Sequence, residues 1–285
     1  MPSAEFTLGL RSLYIIPSRF GALWLAASGL LLLVAIQTGS NSTLLLGFVL
    51  LAVMFLAMHL THDSLQGLQL RCAQPGPAFA GETAMYPVLL ESQQRRPRLQ
   101  CRLRGEPMVV CDRIPVGVTR VVLPWSPSQR GWQQPPQLQI ETIAPLGLFI
   151  CWSRWLPEAP QLIWPRRRSG PVGESKPAAA RDGLEEWHDL RPMREGERLA
   201  MIDWRGAAKG QPLQAKLFSD PVEPETMLEP APGVPTEQAL EHLADRIWRL
   251  HHRGECYGLR LASINLAAAK GVRHRDACLE ALATA

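Results

Sequence analysis

Between Phe20 and His62 the 285-residue chain contains no Asp, Glu, Lys or Arg. So long an uncharged stretch excludes an ordinary solvated helix pair, which would keep a polar face. The other absences are of motifs. None of the six cysteines (Cys72, Cys101, Cys111, Cys151, Cys256, Cys278) stands in a C-x-x-C pair or at a metal-binding spacing from a histidine, so no zinc site is expected. No glycine-rich loop ends in Lys followed by Ser or Thr, which excludes a P-loop. Aromatic and basic residues are not interleaved as in a nucleic-acid module, and the net charge of +4 is mild. No nucleic-acid partner and no cofactor are expected.

What fills the uncharged stretch is two apolar runs, 20–37 and 44–60, joined by the polar turn "TGSNST". A run of 18 residues spans about 27 Å as a helix, enough for most of a hydrocarbon core. The first run holds nine Leu, Ile, Val or Phe residues and the second eleven. At about 0.3–0.6 kcal/mol each, insertion is favoured by roughly 3–7 kcal/mol per helix. Both runs are apolar all round, which predicts a transmembrane hairpin over 20–62, with the lipid bilayer as partner. A cleaved signal peptide is the alternative for the first run, but a second span follows at once and no A-x-A site precedes it. Arg11 and Arg19 before the first span, with no positive charge in the turn, place both chain ends on the cytoplasmic side.

Twenty-five prolines argue for many short turns. Residues 63–165 alternate apolar and polar in short runs such as "LQLRC" (68–72) and "LQCRLR" (99–104), the period of half-buried strands. "VTRVVL" (118–123), "LQIETI" (138–143) and "LFICW" (148–152) add further runs, separated by Pro and Gly clusters. This pattern predicts an antiparallel β-sandwich-like domain. Its tryptophans (Trp125, Trp132, Trp152, Trp155, Trp164) read as core and interface filler. Four of the cysteines lie in these strand-like contexts, where a reduced thiol acts as a small hydrophobe. Residues 166–182 read as a linker by composition.

The block 183–220 differs in character, crowding Arg194, Glu195, Glu197, Arg198, Asp203, Arg205 and Lys209 around Trp204. Glu186, His188, Asp189 and Asp203 are the residues that acid–base chemistry would use. Their spacing does not establish the differing environments such chemistry needs, and His188 stands alone. The preferred reading is a structural or docking junction. "AMIDWRGAAKG" is expected to have a helical centre and "PLQAKLF" (212–218) to form a strand. The tail 221–285 has βαβα texture: a strand at 225–230, an amphipathic helix over 235–255, a strand at 256–262 and a last helix over 273–283. For the first helix, Thr236 is the expected N-cap, Leu240, Leu243, Ala244, Ile247 and Leu250 the apolar face, and Gly254 the stop.

Taken in order, hairpin, β region, "DLRPMREGERLAMIDWRGAAKGQPLQAKLF" and α/β tail, the chain resembles the bacterial membrane proteins of domain-of-unknown-function family fifty-eight. "IIPSRFG" (15–21) and "RGW…PPQLQIETIAPLGLF" (130–149) are similar to that family's flanking motifs. The central block matches its pattern at Arg191, Pro192, Arg194, Gly196, Ile202, Trp204, Ala208 and Lys209, and its closing strand at Leu213, Lys216 and Phe218. Glu197 stands where the family usually has Asp. The resemblance implies a truncated von Willebrand factor A-like tail, but "LEPAPG" (228–233) lacks the serines of that domain's cation motif, so no metal is expected.

The expectation is therefore an α+β membrane protein: N-terminal segment 1–19, transmembrane hairpin, β-sandwich-like domain, linker, charged block, and truncated α/β region. It is placed in the bacterial inner membrane with both termini and the bulk of the chain cytoplasmic. The expected role is an adaptor or assembly protein, not an enzyme. Its docking residues are Arg191, Arg194, Gly196, Glu197, Ile202, Asp203, Trp204, Ala208, Lys209, Lys216 and Phe218. The resemblance implies a MoxR-type AAA+ ATPase or a transglutaminase-like membrane protein as partner. The rival readings are a hydrolase using the carboxylates and His188, and an anionic-lipid-binding protein using Arg166, Arg167 and Arg168.

Overall fold

In the computed structural model, which describes residues 5–175, 190–192, 208–210, 214–216 and 226–285, the uncharged stretch forms α1 (Arg19–Thr38) and α2 (Asn41–Asp63). Both are long and apolar enough to cross a membrane by length and composition. Ser18 caps α1, its Oγ accepting from the Gly21 amide at 3.0 Å. Gly39 ends the helix at φ 63°, a left-handed conformation that suits glycine, and Ser40 caps α2. The buried residues of α1 are Gly21, Ser28 and Ala35, spaced by seven, and Gly47, Met54 and Thr61 repeat that spacing on α2. Small residues at this interval let two helix backbones approach closely. A Cβ on Gly47 would lie 2.5 Å from Leu32 Cδ2. Trp24 Nε1 donates across to the Leu50 carbonyl at 3.0 Å, and the Ser28 and Thr61 hydroxyls donate to carbonyls of their own helices.

The chain divides into two compact units, Met1–Arg167 with Leu279–Ala285, and Arg168–Cys278. Strands of the first unit, in chain order, are β1 (Glu5–Thr7), β2 (Tyr14–Pro17), β3 (Gln69–Cys72), β4 (Ala78–Phe79), β5 (Ala84–Ser92) and β6 (Leu99–Leu103). They continue with β7 (Val109–Cys111), β8 (Gly117–Trp125), β9 (Gly131–Gln133), β10 (Leu138–Thr142), β11 (Phe149–Trp155) and β12 (Gln161–Trp164). Two antiparallel sheets, β1-β3-β5-β8 and β2-β11-β10-β6-β7, supply the core, and a small mixed sheet β4-β12-β9 adjoins them. Alternation is strict where sequence suggested it: Leu99, Cys101 and Leu103 are buried, as are Leu138, Ile140 and Thr142. Tyr86, Val88, Leu90, Val121, Leu123 and Trp125 of the facing sheet join them in one cluster. Prolines sit where the ladder tolerates them. Pro87 lies just beyond the β3 pairing, and Pro124 is on the edge strand β8. The buried Trp125 indole donates to Gln161 Oε1 at 2.7 Å. Trp155 and Trp164 are buried like Trp125, whereas Trp132 is exposed, being on the edge strand β9.

Residues 1–19, expected as a segment ahead of the hairpin, also supply an edge strand to each sheet. β1 pairs with β3, and β2 pairs with β11. The helices are therefore an insertion between β2 and β3, two strands of the sandwich.

In the second unit β13 (Gly173–Ser175) falls inside the expected linker and pairs with β16 (Thr226–Glu229). A separate ladder joins β14 (Leu190–Pro192) to β15 (Gln214–Lys216). β16, α3 (Thr236–Arg253) and β17 (Tyr257–Arg260) make a parallel βαβ unit, and β18 (Asn265–Ala269) then returns antiparallel, ahead of α4 (Val272–Thr284). Leu240, Leu243, Ala244, Ile247 and Leu250 are all buried, as their spacing predicts. Thr236 does not cap. Pro235 holds the cap position with no side-chain bond, and Thr236 is the first helical residue. Proline's fixed φ and missing N–H suit a helix start. Gly254 closes α3 at φ 69°.

Candidate functional site

The most densely built feature of the first unit is the foot of the hairpin. The Ser18 hydroxyl donates to the Gly147 carbonyl at 2.5 Å, and the Ser18 amide donates to the Leu148 carbonyl at 2.8 Å. Gly21, one turn into α1, is pressed against the same turn, and a Cβ there would lie 1.9 Å from the Leu148 oxygen. Only glycine fits this approach. Met54 and Ala57 of α2 pack with Leu148 and Phe149, with Ile15, Trp24 and Met58 around them.

Where the chain leaves the hairpin at the end of α2 stands Arg96, only 3% exposed. Its Nη1 donates to the Ser64 carbonyl at 2.8 Å, Nη2 to the Gln66 carbonyl at 2.7 Å, and Nε to Ser92 Oγ at 2.7 Å. Ser64 is the C-cap of α2 and Gln66 lies two residues beyond it, so the cation sits at the helix end and meets the negative end of its dipole. Burial lowers the guanidinium's pKa. Among the described residues no carboxylate pairs with it, so backbone carbonyls and one hydroxyl carry its solvation. Ile114 clasps the Arg96 backbone in both directions, at 2.9 and 3.1 Å. Sequence reading missed Arg96, which stands in "RRPR" (95–98) and looks like surface charge; the nearby Ser64 and Gly67 at a helix end were the available signal.

Of the charged block, the described residues include Arg191, Ala208, Lys209 and Lys216. Arg191 lies on β14 opposite Ala215, and Leu190 lies opposite Lys216, so the ladder closes the block at its base. Ala208 and Lys209 are exposed in a turn. Part of the expected strand 212–218 is present as β15. Arg194, Gly196, Glu197, Ile202, Asp203, Trp204 and Phe218 lie outside the described residues, as do Glu186, His188 and Asp189.

The three arginines at 166–168 are largely used within the protein. Arg166 is stacked on Gly81, where a Cβ would meet its guanidinium. Arg167 pairs with Glu82 at 2.6 Å and lies 4.7 Å from the Phe79 ring centre. Arg168 faces Glu241 at 4.0 Å. Among the described residues no cluster of His, Cys, Asp and Glu is placed to hold a metal ion. Among the described residues no disulfide joins any of the six cysteines. Burial pushes the Cys151 thiol up to about 11 and that of Cys278 to about 12. On adjacent strands, the Cys101 thiol donates to Cys111 and draws it down to about 7.

Comparison with protein-family models, with curated proteins and with solved structures gives no match in any of the three.

Proposed function

We propose that the protein is a membrane-anchored adaptor or assembly factor of the bacterial inner membrane, belonging to domain-of-unknown-function family fifty-eight, with a von Willebrand factor A-like tail. The observation that carries this reading is the surface of the hairpin. Seven large apolar side chains on each helix are exposed, among them Leu23 and Ile36 at 70% and Phe55 at 64%. At about 1.5 kcal/mol or more per buried side chain, leaving them in water forgoes roughly 20 kcal/mol, more than the usual net stability of a domain. Acyl chains are the solvent that suits such a surface. The foot supports the rest of the topology. β2 enters α1 and α2 leaves into β3 within one unit, so both helix ends fix the sandwich to the same side. Arg11 and Arg19 assign that side to the cytoplasm.

In this reading the hairpin anchors, the sandwich holds the anchor at a fixed angle, and the block from Arg191 to Phe218 is the docking surface. Its partner is a MoxR-type AAA+ ATPase or a transglutaminase-like membrane protein, and the chain itself performs no catalysis. Reporter fusions after Ala285 and within 39–43 test the topology. Fluorescence of a cytoplasmic reporter at Ala285, with alkaline phosphatase active only in the turn, is expected. Phosphatase activity at Ala285, or release of the intact chain by alkaline carbonate, overturns the proposal.

A further inference from the structure

The outer face of sheet β2-β11-β10-β6-β7 carries an arrangement that neither anchoring nor docking by the charged block uses. Register sets Arg154 of β11, Gln139 of β10 and Arg102 of β6 side by side. Arg104 follows on from β6, its amide bonded to the Gln137 carbonyl at 2.9 Å. Together with Gly105 these residues line a cavity of about 320 Å³. A second recess, of about 400 Å³, shares Gln137 and Arg154 and continues over Ser12, Tyr14 and Trp152.

Three guanidiniums line the first cavity and no carboxylate does. None of Arg102, Arg104 and Arg154 forms an ion pair among the described residues. Arg102 and Arg154 flank one strand, about 10 Å apart at two strand spacings. Like charges facing one another across a sheet destabilise it, and a surface serving stability alone would alternate signs. Glu141, one row away on β10, accepts from Gln139 Nε2 at 2.9 Å; Gln139 Oε1 in turn accepts from Arg102 Nη2 at 3.2 Å. That chain of bonds fixes Arg102. Arg154 is held differently, 4.7 Å from the Trp152 ring centre, while Tyr14 stacks on the same ring at 4.6 Å. Gln137 makes no side-chain hydrogen bond within the described residues. The result is a pair of oriented forks flanking Gln139, with the free carboxamide of Gln137 one row along beside Arg104 and open to solvent.

We propose that Arg102, Arg104, Arg154 and Gln137 form a binding site for a small polyanion bearing phosphate groups. Planar guanidinium forks match phosphate oxygens in pairs, and the cavity is at the lower end of the range that holds small ligands. A phosphate can come from a soluble compound or from a lipid headgroup. Arg154 lies five residues along β11 from Phe149, the residue packed against α2, or about 17 Å of strand. Surface potential falls off over about 8–10 Å, and so the site is assigned to a soluble ligand.

The test uses the full chain in nanodiscs of phosphatidylcholine, titrated with inorganic tripolyphosphate by calorimetry at low ionic strength. Binding is expected, and Arg102→Gln and Arg154→Gln are each expected to weaken it about tenfold or more, since hydrogen bonds to charged groups are the strong ones. Arg120→Gln, an exposed arginine on β8 of the opposite sheet, is expected to leave affinity unchanged. All three side chains project from the surface, and unchanged thermal unfolding confirms that each variant is folded. No binding by the parent protein, or equal weakening by Arg120→Gln, overturns the proposal. So does a preference for phosphatidylglycerol vesicles that Arg102→Gln abolishes in a protein that ignores tripolyphosphate, because the ligand is then a headgroup.

Discussion

Arg96→Met replaces a buried guanidinium with an unbranched apolar side chain of similar length, and its cost can be worked from the bonds at the foot of α2. The Ser64 and Gln66 carbonyls lose their donors at 2.8 and 2.7 Å. Ser92 Oγ is spared, because its own hydroxyl still donates to the Gln94 carbonyl at 2.7 Å. An unpaired buried acceptor costs about 1–3 kcal/mol; the Ser64 bond is buried and the Gln66 bond only partly so, and the two carbonyls together cost about 2–4. Relief of the guanidinium's desolvation returns part of this, as when a buried ion is replaced by an apolar group. A net loss of about 2 kcal/mol remains, equivalent to about 4–8 °C in Tm for a unit of this size. Arg96→Lys keeps the charge, but a single ammonium cannot hold the fork that spans Ser92, Ser64 and Gln66, and recovery of less than half the loss is expected. Thermal unfolding in detergent micelles, followed by near-ultraviolet circular dichroism, measures both. A Tm for Arg96→Met within about 2 °C of the parent, less than 1 kcal/mol, refutes the claim that this cation holds the end of the hairpin.

Two glycines give opposite expectations. Gly21→Ala drives a Cβ into the Leu148 backbone and is expected to cost about 3 kcal/mol, whereas Gly47→Ala meets Cδ2 and Cγ of the Leu32 side chain, which can turn aside, and is expected to cost about 1 kcal/mol; comparing the two Tm values checks the contrast. Iodoacetamide at pH 7.5 is expected to modify Cys111 before the buried Cys151 and Cys278, by peptide mass mapping, and Cys101→Ala to slow it about twofold or more by returning Cys111 toward the usual value of about 8.5. Because the Cys111 thiol is lowered in the folded state and the Cys101 thiol raised, the pair makes stability rise with pH from about 7 to about 9 and fall again above that; Cys101→Ala should flatten both limbs of the pH–stability curve. Gln161→Leu strands the Trp125 indole N–H and the Gly76 carbonyl, which Gln161 Nε2 reaches at 2.6 Å, and chemical denaturation should register a loss of about 2–4 kcal/mol.

Features whose signal lies within one window were legible in the sequence. The hairpin showed itself through missing charge, α3 through its apolar stripe, and β6, β10 and β11 through alternation. What escaped depends on partners distant in the chain. Glu5–Thr7 and Tyr14–Pro17 are too short to show a period, and only their pairing with Gln69–Cys72 and Phe149–Trp152 makes them strands. β13 is three residues within a Pro- and Gly-rich run, and β18 is mostly alanine, a weak strand former. Arg96, Arg102 and Arg154 each look like a surface charge in isolation. One acquires its role from burial and the others from register, and neither is written in local spacing. Thr236 is a good capping residue by type, but Pro235 before it holds the cap position and leaves the threonine inside the first turn.

The placement of the two helices between β2 and β3 also fixes an order of events during synthesis. β2 cannot find its neighbour until translation has passed Trp155, well over a hundred codons later and on the order of ten seconds at ordinary elongation speed. By then both apolar helices have left the ribosome. Both helices are therefore complete before the sandwich can close, and the nascent chain waits with the β2 edge of its sheet open until β11 arrives.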